Sequence, residues 1–182
     1  VIDLDASVAD NIKSLAQAKK VKPSDVTACV LERDRHADII DSLRSIGSKI
    51  FLIPDGDVQG VMMTSQKDID VDIYFGTGGA PEGVLAAAAL QCIGGQIQTR
   101  LVIRNDDEKK RAENLGIKDL DKKYLINDLA SGDIVFVATG VTEGTMVKGV
   151  KKSGNIYIAH SIVLRSDENT TQYIQTQYPN IS

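Results

Sequence analysis

The sequence predicts an α/β fold, a layered mixed β-sheet flanked by helices. Three observations carry that expectation. Short apolar runs rich in β-branched residues recur at 26–31, 49–53, 71–75 and 134–138. Between the first of them lie stretches with apolar residues at helical spacing, an alternation that implies strands covered on both faces. At the end of the chain, residues 156–177 alternate apolar and polar positions, the pattern of an antiparallel pair.

Each element follows in order. Val8, Ile12, Leu15 and Ala16 form one stripe, so residues 7–20 read as an amphipathic helix. "VTACVL", residues 26–31, is the first strand. "RHADIIDSLRSIG" turns Ile39, Ile40, Leu43 and Ile46 inward and stops at Gly47. "KIFLIP" is the next strand, ended by Pro54 and "DGD", and residues 57–65 suit a short helix. A strand over 71–75 runs into the glycine-rich turn "GTGGAP", and a helix follows over 81–93. "GGQIQTRLVI" reads as a further strand, "NDDEKKRAENLG" as a charged helix, and the polar stretch 118–133 as a surface loop. "DIVFVATG" is expected as a fourth parallel strand, and 156–177 as an edge hairpin. Nothing in the 182 residues marks an internal repeat or linker, so one α/β domain over 1–182 is expected.

Composition narrows the function classes. The formal net charge is −4, which argues against nonspecific nucleic-acid binding. No apolar run is long enough for a membrane helix, and no signal-peptide pattern is visible. Cys29 and Cys92 sit in apolar contexts and read as buried thiols, which fits a reducing cytoplasm. Two cysteines and two separated histidines make a structural zinc site improbable. The chain starts at Val1, and is expected to be part of a longer protein.

Ligands of open α/β sheets bind beyond the carboxyl ends of parallel strands. The residues at those ends are Glu32, Arg33, Asp34, Arg35 and His36; Asp55, Gly56 and Asp57; the loop with Gly78, Gly79 and Glu82; and "TGVTEG". Arg33 and Arg35 suit a phosphate, or form an ordinary charged loop. Asp55 and Asp57 can accept from sugar hydroxyls or hold a divalent ion, and equally suit a turn with a helix cap. Glu82 follows Pro81 in a first helical turn, where an acid is favourable without any function. The glycines before it allow close approach of a ligand and make a carboxylate ligand to Mg2+ or Mn2+ conceivable. The loop spacing fits neither the dinucleotide fingerprint nor the P-loop, which disfavours a dinucleotide-dependent oxidoreductase. No G-x-S-x-G elbow occurs. His36 and His160 could serve as bases, but isolated histidines are more often structural, and His160, inside an alternating strand, is given no chemical role.

Taken together, "RDRH", "IPDGDV", "YFGTGGAPEGVLAAAAL", "ATGVTEG" and "HSIVLRS" closely resemble the carboxyl-terminal half of class II fructose-1,6-bisphosphatases, including the dual fructose-1,6- and sedoheptulose-1,7-bisphosphatases. The likeness covers nearly the whole chain, and the "GGAPEG" block is its most specific part. It implies a sugar-phosphatase carboxyl-terminal domain, with the amino-terminal metal-binding half absent from this chain. The implied activity is hydrolysis of the 1-phosphate of fructose 1,6-bisphosphate, a phosphoric monoester hydrolase reaction of gluconeogenesis that uses Mn2+ or Mg2+. Carried over by the resemblance, Arg33, Asp34, Arg35, Asp55, Gly56, Asp57 and Gly79 bind substrate, and Glu82 is a catalytic metal ligand. Some members carry Lys at position 33 and Pro at position 34. The family likeness further implies a cytoplasmic homodimer or homotetramer. The competing reading is a sugar-phosphate-binding, regulatory or assembly module without hydrolysis, and the discriminating feature is the acidic half.

Overall fold

The computed structural model describes residues 1–179. Its centre is β1 (Thr27–Leu31), in which all five residues are buried. β1 pairs in parallel with β2 (Lys49–Ile53) on one side and β3 (Ile73–Phe75) on the other. The period of two along β1 splits its side chains between two layers. Ala28 and Val30 face α1 (Val8–Lys19) and α2 (Ala37–Ile46), packing on Ile12, Ala16, Ile40 and Leu43. Cys29 and Leu31 face the opposite way, onto Ile53, Met63 and Val71.

The helices begin and end where their sequence chemistry dictates. The Ser7 hydroxyl accepts the Asp10 N–H at the start of α1. Gly47, in the left-handed region at φ 74°, closes α2. The second helical layer holds α3 (Asp57–Met63) and α4 (Ala80–Ile93). Ala86, Ala87, Ala89 and Leu90 of α4 are buried. A helix apolar around most of its circumference must be covered on two sides. Here α3 covers one, and a four-stranded antiparallel sheet covers the other.

That sheet contains β6 (Val135–Thr139), β7 (Lys151–Ser153), β8 (Ile156–Arg165) and β9 (Thr170–Pro179). Phe136, Ile162 and Leu164 pack on Met62, Ala89 and Cys92. The layers therefore run helices, parallel sheet, helices, antiparallel sheet. The predicted α/β class holds, as does the terminal hairpin, with β9 at the edge of its sheet.

Three expectations change in detail. Residues 134–138 do not join the parallel strands: β6 lies antiparallel to β8 in a separate sheet. The reason is in its pattern. Phe136 is buried while Val135 and Val137 are exposed, the half-buried alternation of a one-faced antiparallel strand. The run 94–103 contributes only a two-residue strand, β4 (Gln98–Thr99). Its partner is β5 (Tyr124–Leu125), followed by the one-turn helix α6 (Ile126–Leu129), within the stretch expected as loop. The charged helix, α5, forms over Asp106–Asn114.

Candidate active site

The carboxyl ends of β1, β2 and β3 lie side by side, so the three loops that follow them share one rim. After β1, one turn of 3-10 helix at Asp34–His36 leads into α2. Arg35 turns toward β3, where its Nε donates to the Thr77 carbonyl at 2.8 Å. Arg33 turns back instead: its Nη1 donates to the Glu32 carbonyl at 2.8 Å. Arg33 and Asp34 line a cavity of about 230 Å³ together with Arg44 and Leu52, on the β2 side. The two arginines thus face different elements and do not form one fork. Neither is paired with a carboxylate among the described residues.

After β2, the Asp55 carboxylate accepts the Gly56 N–H at 2.9 Å, closing its own turn. Gly56 sits in the left-handed region at φ 88°, where a side chain would be strained. It, and not Asp57, is the N-cap of α3. Asp57 is left free to look across at the third loop. A Cβ on Gly78 would come 2.6 Å from Asp57 Oδ2 and 3.0 Å from Glu82 Oε2. The two carboxylates therefore converge over Gly78, and only glycine leaves room for them.

Glu82 also caps its own helix. Its Oε2 accepts the Gly79 N–H at 2.7 Å. The carboxylate thus folds back on the loop amide with one oxygen, the acid's half of a capping box, which Gly79 has no side chain to complete. Oε1 takes no protein hydrogen bond among the described residues. Pro81 stands in the first turn, where its missing N–H costs nothing.

Two further residues stand at this rim: Tyr74, which sequence reasoning passed over, and His36, which it read as structural. The Tyr74 ring lies beneath the rim, against Gly60 of α3 and Gly76 of the loop. Burial, with help from the Asp57 and Glu82 charges, holds its hydroxyl well above the usual phenol range, while Arg35 pulls the other way. His36 is fully buried and bridges the end of β1 to Thr77. The signal for both was their position at a strand end beside the glycine loop.

The fourth expected loop reaches this side of the fold by another route. Thr145 meets Gln59 of α3 although β6 belongs to the other sheet. His160, by contrast, is remote: it pairs with Gln175 across β8 and β9.

Arg35, Asp57, Gly79 and Glu82 thus come together, with Asp55 in the adjoining turn and Arg33 and Asp34 on the flank. The set offers a cation and two carboxylates over exposed loop backbone, the chemistry for an anionic polyol. Mg2+ and Mn2+ take about six oxygen ligands. Glu82 and Asp57 fit one or two of those positions, and among the described residues no three metal-ligating side chains form a group. The described residues thus offer an ion one or two carboxylate ligands and not a full set. No helix among the described residues is long and apolar enough to cross a membrane.

Comparison with known proteins identifies the family. The family model described as bacterial fructose-1,6-bisphosphatase, glpX-encoded, matches residues 1–178. A class 2 fructose-1,6-bisphosphatase from Haemophilus influenzae is 37% identical over 190 aligned residues, covering 97% of this chain and 57% of the relative. The fructose-1,6-bisphosphatase 1 class 2 of Escherichia coli K12 is 33% identical over 188 residues, covering 96% and 56%. The chain spans little more than half the length of these curated relatives. On the match of 178 residues and two such relatives, the chain belongs to the bacterial, glpX-encoded fructose-1,6-bisphosphatase family.

Proposed function

We propose that the protein hydrolyses the 1-phosphate of fructose 1,6-bisphosphate, giving fructose 6-phosphate and phosphate, and that this chain supplies the sugar-phosphate side of the site. The observation that carries the reading is the convergence of Asp57 and Glu82 over Gly78, with Arg35 tied to the same loop. Arg35 keeps its terminal guanidinium nitrogens for an oxyanion, since its one side-chain bond among the described residues uses Nε. Asp57 and Asp55 accept from sugar hydroxyls. The loop backbone at Gly78 and Gly79 lets the substrate lie close. Arg33 and Asp34 border the substrate from the β2 side.

Glu82 would hold a Mn2+ or Mg2+ ion together with carboxylates outside this chain, and such an ion supplies polarisation of the phosphate and activation of water. The relatives are longer by the portion that the match leaves uncovered, which is where we place those carboxylates. The same reading makes the protein a cytoplasmic homodimer or homotetramer acting in gluconeogenesis.

The test is phosphate release from fructose 1,6-bisphosphate by the full-length protein and its Glu82→Gln variant. Gln keeps an oxygen to accept the Gly79 N–H, so the helix start survives while the charge is lost. Even an outer partner of a metal ligand is worth about 10- to 100-fold, so activity should fall by at least that much, with more Mn2+ needed for half-saturation. Normal activity with normal metal dependence would leave Glu82 a helix-dipole acid and remove the proposal's metal side.

A further inference from the structure

The glycine loop has little of its own to hold it in place. Gly78 and Gly79 carry no side chain, and Gly79 spends its N–H on Glu82. What fixes the loop is the residue before them. Thr77 donates its N–H to Nε2 of His36 at 2.9 Å, and its carbonyl accepts from Nε of Arg35 at 2.8 Å. Two consecutive side chains thus grip both polar backbone groups of one residue, across 41 and 42 positions of chain.

His36 makes this grip specific. Its second nitrogen, Nδ1, lies 2.8 Å from the Leu31 carbonyl at the end of β1. A carbonyl only accepts and a backbone N–H only donates. The neighbours therefore dictate one form of the ring: neutral, with the proton on Nδ1 and the lone pair on Nε2. The ring is fully buried, so no water can take over either partner's role. A histidine that merely filled the core would need neither this form nor a bond to the loop.

We propose that His36 is a positioning residue for the cleft. It ties Thr77 to the carboxyl end of β1, and so sets where Gly78, Gly79 and the Glu82 carboxylate stand relative to Asp57. Its relevance to turnover rests on the bisphosphatase reading above, whereas the tie itself does not, so the two are tested apart.

The experiment uses the full-length protein. Nitrogen NMR of the unaltered protein reads the ring directly: a neutral, Nδ1-protonated His36 is expected, and an Nε2-protonated ring overturns the proposal. Two variants then separate the two bonds. Gln at position 36 places an acceptor near the former Nε2, while Asn offers a donor near the former Nδ1 and nothing to Thr77. In His36→Asn, amide exchange at Thr77 and Gly79 should quicken by about tenfold, the factor that one lost hydrogen bond of ordinary strength allows. kcat for fructose 1,6-bisphosphate should fall by a similar factor with KM little moved, and His36→Gln should restore most of both. A folded Asn variant with unchanged loop exchange, or Asn and Gln variants that behave alike, overturns the proposal. The ring state is read without any substitution, so it decides even where a variant fails to fold. Wild-type protein that binds but does not hydrolyse the bisphosphate would sink the functional reading alone, leaving exchange and ring state to judge the tie.

Discussion

Glu82 has two uses at once, and they do not compete. One carboxylate oxygen, Oε2, closes the start of α4 on the Gly79 N–H and is also the oxygen nearest Asp57 over Gly78, while Oε1 takes no hydrogen bond among the described residues. From sequence alone an acid in a first helical turn is explained by the helix dipole, worth about 0.3–1 kcal/mol. Only the geometry over Gly78 distinguishes it from any other capping acid. That point gives a sharp prediction. In Gly78→Ala the new Cβ would sit 2.6 Å from Asp57 Oδ2 and 3.0 Å from Glu82 Oε2. Both are ends of flexible side chains, so the fold should yield cheaply, by less than about 1 kcal/mol. The two carboxylates must then part, and bisphosphatase activity should drop by about tenfold or more, as misplacing reacting groups by about 1 Å costs up to 100-fold. Thermal melting and initial rates on the same preparation check both halves. A fully active Gly78→Ala protein would mean that the convergence has no role.

At the scale of elements, the strands and helices up to Ile93 were legible because each carries a clear period and a marked end. Gly47, Pro54 and Pro81 stop or start elements where their backbone chemistry requires. What periodicity does not encode is which sheet a strand joins. Val135 and Val137 look like buried-strand residues in sequence, yet they face outward on β6. The rim of the site was legible in the same measure. Arg35, Asp57 and Glu82 were placed at strand ends by counting. That Arg33 turns away from Arg35 depends on side-chain direction, which the sequence leaves open. In the β4–β5 ribbon the first strand was expected, though longer, and β5 was missed for another reason: the ribbon is held by charge more than by apolar pattern. Lys123 of its second flank pairs with Asp3 and Asp5, Arg100 pairs with Asp5, and the Leu4 N–H donates to Gln98. The hydrogen bond from Lys123, first, holds both carboxyls below their ordinary range, aided at Asp5 by Arg100. Carboxyls depressed in the folded state stabilise above their unfolded value and lose that effect as pH falls through the folded one. Protection of the Leu4 amide should thus be level from neutral pH down to about pH 5 and decline below about pH 4. The groups are exposed, so the decline is local and small. In Lys123→Met the protection should already be low at neutral pH. Protection that stays flat through the acid range would show that the Gln98 bond alone holds the segment.

At the scale of the molecule, α4 joins two bodies of different logic. Its start carries Glu82 into the cleft of the parallel sheet, and its far half packs by Ala89 and Cys92 onto the antiparallel one. Cys29, its thiol pushed up to about 11 by burial, and Cys92 lie inside those two cores as inert fillers. A packed four-layer body of this kind supports folding and ligand positioning, but the chemistry needs more than it holds. Glu82 and Asp57, each binding through one oxygen, give an ion two ligands. Substrate phosphate and water could add some, yet about six are needed, and two-ion sites require still more. The 182-residue chain on its own should therefore melt cooperatively and release almost no phosphate from fructose 1,6-bisphosphate at any Mn2+ concentration. The full-length protein, assayed beside it, should be active. Joining the remaining segment back to the chain, covalently or by mixing where the parts associate, should restore turnover, and Glu82→Gln should abolish what is restored. A chain that folds, binds fructose 6-phosphate and stays inactive even with that segment supplied would favour the binding-module reading. Brisk hydrolysis by the 182 residues alone would overturn the shared site, because Glu82 and Asp57 would then be enough to do what we assign to a larger set of carboxylates.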